Sequence, residues 1–269
     1  MIKDITLGQY YPGESVIHRL DPRTKILIAL AYLVSLFFIK NFAGFAVAAL
    51  CFAVCVRVAG VPLRLIINGL KGILFIILLT ALVNLFMTPG NVLWQWRFIK
   101  ITSEGLYRSA FMAIRLVLLI LGSTLLTLTT KPLALTDGLE RLFSPLRKIG
   151  LPAHELAMMI SIALRFIPTL LDETDKIMKA QTSRGADFES GNIFQRAKSL
   201  IPLLVPLFVS AFRIAGDLAM AMEARCYRGG DGRTRMHGMA FSRRDAAAAA
   251  LFLLYLAAVL ILNHIAISA

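Results

Sequence analysis

The chain has 269 residues, 58% of them hydrophobic, and a mean hydropathy of +0.72. A soluble domain is about 45–50% apolar, so this composition points to an integral membrane protein. The net charge is +13, from 29 Lys+Arg against 16 Asp+Glu. With no aromatic–basic recognition module, that excess reads as cytoplasmic loops under the positive-inside rule, not as nucleic-acid binding.

The N-terminal segment, residues 1–24, is polar and rich in turn residues, with no evident signal peptide. Five apolar runs then qualify as membrane helices: Ile26–Ile39, Phe42–Val58, Gly69–Met87, Ala110–Thr130 (extended to Leu106) and Ala246–Ile267. A spanning helix needs about 20 apolar residues, with roughly 17 tolerated. The first run is short, so it is expected to pack short or tilted, with Lys25 and Lys40 snorkelling outward.

The basic residues orient these spans. An N-terminus inside keeps Lys3, Arg19, Arg23, Lys25, Arg57, Arg64 and Lys71 in the cytoplasm. Lys40, Arg97, Lys100 and Arg108 then face outward, with Trp94 and Trp96 in an outer loop where interfacial aromatics belong. The C-terminus lies outside. The long segment Lys131–Arg244 stays inside and carries more than half of the 29 basic residues.

Two stretches of that segment, Ala153–Leu171 and Leu200–Met222, are apolar enough to suggest further spans. A seven-span arrangement would export Lys176, Lys179, Arg184, Arg196 and Lys198. It would also bury Arg165, Arg213 and Asp217, at about 2.5–3.5 kcal/mol for a charge near the bilayer centre. Five spans plus a helical cytoplasmic domain fit better. The expected domains are therefore 1–24 cytoplasmic, 25–131 with four spans, 132–243 cytoplasmic and 244–269 the last span.

Within residues 132–243, Pro132 suits a first helical turn, and helix continues over Leu133–Lys148 until Pro145 and Gly150 disturb it. A second helix runs Ala153–Arg184, kinked at Pro168 and stopped by Gly185. A third starts with Asn192 as N-cap and runs to about Tyr227, stopped by Gly229 and Gly230. Both long helices are apolar for most of their length and polar at the end.

Catalytic signatures are absent: there is no Walker motif, nucleophile elbow or HExxH. His18, His154, His237 and His264 are scattered and read as solvated or capping. Cys51, Cys55 and Cys226 form no metal-ligand pattern. Arg115 is the one charge deep in a predicted span, expected to snorkel outward or meet a partner subunit.

Each long helix ends in a small residue, an arginine and another small residue: Ser183-Arg184-Gly185 and Ala224-Arg225-Cys226. An arginine there complements the negative helix end, and a following glycine adopts the left-handed cap. Capping accounts for one such ending. Two matched endings suggest two docking points, because a guanidinium offers five donors in a planar fork.

With the stretches YYPGESVIHRLDPRTK (Tyr10–Lys25) and SPLRKIGLPAHELAMMISIALRFIP (Ser144–Pro168), these motifs make the whole chain resemble the transmembrane T component of energy-coupling factor transporters. Those are ABC-class importers of vitamins and metal ions. The more usual family motif is Ala-Arg-Gly; Ser183 and Cys226 are small replacements. The HRLDPRTK opening resembles the shared, group II type.

The resemblance implies an all-α polytopic fold with about five transmembrane helices and long crossed cytoplasmic coupling helices. It implies two ABC-type ATPase partners, docked at Ser183, Arg184, Gly185, Ala224, Arg225 and Cys226. It also implies one membrane S component that binds the substrate and lies on the apolar helix faces. No cofactor or metal is expected on this chain; ATP and Mg belong to the ATPases. The rival expectations are a permease that forms its own pathway, using Asn84, Arg115, Ser123 and Thr124, and a membrane scaffold without an ATPase.

Overall fold

The computed structural model describes residues 10–96, 99–145, 152–188, 192, 194, 198–229 and 240–268. The chain divides into two compact units, one of Gly8–Leu139 with Gly238–Ala269, the other of Glu140–His237 with Met1–Leu7. Among the described residues the fold is all-α apart from one two-stranded hairpin.

The first unit opens with α1 (Pro22–Phe38), 17 residues long, which begins four residues before the expected apolar run. Asp21 is the reason: its carboxylate accepts from the backbone N–H of Arg23, and Pro22 occupies the first turn. Helix α2 (Phe42–Ala59) is capped by Asn41, and Gly60 at φ +67° ends it. The expected single run Gly69–Met87 is instead two helices, α3 (Leu63–Lys71) and α4 (Leu74–Met87), bent by 60° at their junction. Between them Gly72 and Ile73 interrupt the ladder, and α3 presents Arg64 and Lys71 among its apolar residues.

Strands β1 (Val92–Trp96) and β2 (Ile99–Thr102) pair antiparallel where a loop was expected, with Trp96 opposite Ile99. Helix α5 (Ser103–Thr129) begins earlier than its apolar run because Thr102 caps it, accepting from the Gly105 N–H. The unit closes with α6 (Pro132–Phe143), near whose end the chain divides, and α9 (Arg243–Ser268). Helix α6 ends two residues before Pro145, not at Lys148; residues 146–151 lie outside the described set.

Helix α5 is the hub of this unit and packs on α1, α2, α3 and α4, while α9 packs on α2 and α1. The core joins Tyr32, Leu36 and Ile39 to Phe45, Ala48, Leu118, Tyr255 and Val259. Close approach of α1 and α5 depends on Gly122: a Cβ there would meet the Tyr32 ring at 2.8 Å. Tyr255 and Ser35 share a 2.8 Å hydrogen bond inside the core, so the buried hydroxyls are partnered.

Arg115 reaches the end of α1 beside Lys40. Its guanidinium donates to the Ile39 carbonyl at 3.1 Å and lies 5.0 Å from the Phe111 ring centroid. Ile39 is the C-cap of α1, so Arg115 satisfies a carbonyl that the helix itself leaves open. Lys25, by contrast, does not snorkel. It is buried, and its ammonium donates to the carbonyls of His18 (2.9 Å) and Thr129 (3.0 Å).

The stretch Tyr10–Lys25 is tied down at several points. The Tyr11 N–H donates to the Leu128 carbonyl at 2.9 Å, and His18 is held between Ser15 and the Tyr11 carbonyl. Burial of the His18 ring lowers its pKa, opposed by its bond to the Tyr11 backbone. Asp21 receives Arg23 through two guanidinium nitrogens, each at 3.0 Å, and its own N–H donates to Asp245 at 2.8 Å. The Arg23 guanidinium also stacks 4.1 Å from the Phe241 ring centroid. This stretch therefore joins the entry of α1 to the entry of α9 and the end of α5.

The second unit contains α7 (Ala153–Ser183) and α8 (Ile201–Ala224). Helix α7 continues through Pro168. Helix α8 is shorter at both ends than expected, and most of the stretch just after Asn192 lies outside the described residues. Among the described residues, five helices are long and apolar enough to cross a membrane: α2, α5, most of α7, α8 and most of α9. The bent pair α3–α4 adds a sixth if it counts as one span. Helix α1 lies just under that length.

Candidate functional site

Helices α7 and α8 lie antiparallel. Three contacts establish this: Gln181 reaches the Pro202 carbonyl (3.4 Å), Glu173 meets Ser210 (3.4 Å), and Tyr227 reaches the Met158 sulfur (3.0 Å). The end of α7 thus meets the start of α8, and the reverse. Ala157, Leu203 and Ser210 are buried in this unit.

Arg184 and Arg225 are the C-caps of these two helices, with nearly equal backbone angles (φ −90°, ψ 7° and φ −93°, ψ 15°). The hydrogen bonds match one for one. At the first end Gly185 N–H donates to Thr182 O (2.9 Å) and Ala186 N–H to Gln181 O (3.0 Å). At the second, Cys226 N–H donates to Glu223 O (2.8 Å) and Tyr227 N–H to Met222 O (3.0 Å). Both are Schellman closures, in which a left-handed residue turns the chain back to satisfy open carbonyls.

At the first end the left-handed residue is Gly185, φ +87°. At the second it is Cys226, φ +56°, so α8 is stopped there and not by the later Gly229 and Gly230. A left-handed residue with a Cβ costs about 1–2 kcal/mol. Cys226 is the one described non-glycine residue with positive φ.

Because each arginine closes a different helix of an antiparallel pair, the structure does not bring them together. Tyr227, two residues past Arg225, touches Met158 near the start of α7. At 1.5 Å per residue the two arginines stand about 40 Å apart along the pair. Ser183, Arg184, Gly185, Ala224, Arg225 and Cys226 are all exposed. Neither guanidinium makes a hydrogen bond or ion pair among the described residues, so all five donors of each face outward.

A second feature of this unit is an apolar stripe on α8. Val205, Phe208 and Phe212 are 60–75% exposed, and Val209 and Met220 extend the row. Such a stripe at helical spacing needs a cover, whether lipid or protein.

Asn84 donates to Thr80 O and Ser123 to Ile120 O, each within its own helix. Arg115 bonds across to Ile39 O at the end of α1, with its Nε left without a partner among the described residues. Sequence reasoning missed the α7–α8 contacts and the ties of Tyr10–Lys25. The Asp-Pro-Arg run was the one visible signal for the second, as an N-cap followed by proline.

A family model described as "Cobalt transport protein" (CbiQ) matches residues 13–237, most of the chain. The chain belongs to this family. The energy-coupling factor transporter transmembrane protein EcfT of Clostridium kluyveri is 58% identical over 98% of each chain. The protein of that name from Thermosediminibacter oceani is 58% identical over 92% of this chain and 93% of its own. The one from Bacillus subtilis is 48% identical over 91% of this chain and 93% of its own. The matched region includes both arginine ends and the Gly13–Lys25 part of the N-terminal stretch. As a member of this family with several long apolar helices, the chain is a multi-pass membrane protein.

Proposed function

We propose that this chain is the coupling subunit of an energy-coupling factor importer. Its relatives carry the printed name of transporter transmembrane proteins, which supports a non-catalytic membrane component. In this reading two ABC-type ATPase subunits supply ATP hydrolysis with their own Mg. A separate S component binds the vitamin or trace-metal substrate.

The observation that carries the proposal is the pair of matched arginine caps at opposite ends of one antiparallel helix pair. Each cap exposes an unpaired guanidinium beside a small residue on either side. A backbone groove on a partner can therefore approach closely and receive the planar fork, at about 1.5–3 kcal/mol per hydrogen bond to a charged group. Two such points about 40 Å apart suit the two subunits of a paired ATPase.

The mechanism follows from rigid geometry. ATP binding draws the ATPase subunits together, and the grooves holding Arg184 and Arg225 move with them. Load enters at opposite ends, so α7 and α8 shift against each other along their shared face. The exposed stripe Val205, Phe208, Phe212 holds the S component, which tilts or is released as α8 moves.

The same reading keeps α7 and α8 on the cytoplasmic side with the N-terminus, and the C-terminus outside. Arg165, Arg213 and Asp217 make both helices poor spans, at about 2.5–3.5 kcal/mol for each central charge. The proposed layout is residues 1–24 cytoplasmic, 25–131 in four spans, 132–243 cytoplasmic and 244–269 in the last span.

The test is the double substitution Arg184→Glu with Arg225→Glu in the full-length chain. Copurification of ATPase subunits and substrate uptake should both be lost, while membrane insertion persists. Normal uptake by the inserted double variant overturns the proposal.

A further inference from the structure

In the first unit, a cavity of about 310 Å³ opens beside the N-terminal stretch, lined by residues that include His18, Arg19, Lys25, Thr130, Lys131 and Glu14. Ligand pockets begin at about 300 Å³, so the space suits a small ligand or the head of a larger one. Its polar lining is lopsided. Three cations face it, and its single carboxylate, Glu14, is already bonded to Arg19 at 2.9 Å.

Neither lysine makes an ion pair among the described residues, although the Asp245 carboxylate lies near enough to Lys25 to favour its charge. Lys25 is buried and directs its ammonium at two carbonyls, those of His18 and Thr129, which leaves one of its three N–H donors unused. Lys131 makes no ion pair among the described residues; its ammonium lies 5.6 Å from the Tyr10 ring centroid. Burial of the Lys25 ammonium is costly, and an anion bound beside it would offset part of that cost.

A second observation is independent of charge. Thr130 is 3% exposed, lines the cavity, and its buried hydroxyl has no hydrogen-bond partner. Buried hydroxyls are nearly always partnered, so an unpartnered one calls for a ligand. Thr130 and Lys131 directly precede α6, whose first N–H groups point back toward this end and favour negative charge.

We propose that this cavity binds a phosphate group, held by Lys25, Thr130, Lys131 and the start of α6. The residues suit either a phospholipid headgroup or a free phosphate. The proposal rests on the first unit alone and does not depend on the coupling role of the arginine caps.

The test uses the full-length chain in detergent. Native mass spectrometry compares retained dioleoyl-phosphatidylglycerol with dioleoyl-phosphatidylcholine, and phosphorus NMR follows added inorganic phosphate. One tightly retained phosphatidylglycerol per chain identifies the lipid source; saturable inorganic phosphate binding that displaces it identifies the free anion. Either result supports the site if Lys131→Glu, which removes a cation and adds an anion, weakens it about tenfold, about 1.4 kcal/mol. Thr130→Val removes only the hydroxyl and should weaken binding several-fold with the fold intact by size exclusion. Equal binding by wild type and both variants overturns the proposal, as does a wild-type chain that binds neither probe.

Discussion

Cys226 takes, at the end of α8, the left-handed position that Gly185 takes at the end of α7. The backbone makes the same closure twice, once with a residue suited to it and once without. The shared element is the arginine that each closure presents, which places the strain at Cys226 beside a proposed contact point.

Replacing Cys226 by glycine should relieve the left-handed strain. We expect Cys226→Gly to raise stability by up to about 1 kcal/mol and to leave ATPase copurification intact. Gly185→Val should do the reverse, at a cost of about 1–2 kcal/mol, although nothing lies within 4 Å of a Cβ at Gly185. Thermal unfolding of the two variants in detergent distinguishes backbone strain from crowding.

The separation of the two arginines leads to a stoichiometric expectation. Arg184→Glu alone should release one ATPase contact and spare the other, and Arg225→Glu should release the opposite one. Crosslinking from each remaining tip to purified ATPase subunits reads this directly. If either single variant loses both contacts, the two sites are not independent.

Asp21 is a candidate for acid sensitivity. The Arg23 guanidinium hydrogen-bonded to it holds its carboxyl below the usual carboxylate pKa, against the opposing effect of burial. A depressed carboxylate contributes stability that is present above its unfolded pKa and is lost as pH falls through the folded one. The tie from Asp21 to Arg23 should therefore hold at neutral pH and fail only in acid, below about pH 4. Asp21→Asn should flatten the acid limb of a melting-temperature profile, and Asp21→Ala should cost about 0.5–2 kcal/mol through the lost N-cap.

Arg115 should matter for packing and not for an ion path. Arg115→Met leaves the Ile39 carbonyl without its donor inside the bundle, at about 1–3 kcal/mol. Its melting temperature should drop, and substrate uptake measured at permissive temperature should persist. Loss of uptake in a variant as stable as wild type would restore a pathway role.

Much of the bundle was legible in the sequence. The apolar runs of α2, α5 and α9 are long and bounded by caps such as Asn41, Thr102 and Gly60, so type and place follow from local chemistry. The 60° break between α3 and α4 was not read from the sequence, although Lys71 and Gly72 mark its place, because the stretch Gly69–Met87 is apolar enough overall to read as one helix and hydropathy carries no direction. The β1–β2 hairpin was hidden for a similar reason: the connection between Met87 and Ser103 pairs or not according to the helices that bring its ends together.

The sequence by itself determined that this is a polytopic helical membrane protein with two arginine-bearing helix ends, since composition, charge bias and cap residues are local properties. Only the tertiary structure decided that those ends lie on an antiparallel pair and point apart, because contacts such as Met158 with Tyr227 are long-range. It alone placed Arg115 on the end of α1 and Lys25 on the end of α5, where each covers a carbonyl that its helix leaves open. A charge in an apolar run reads as a liability in one dimension; its partner is visible only when a second helix comes within hydrogen-bonding distance.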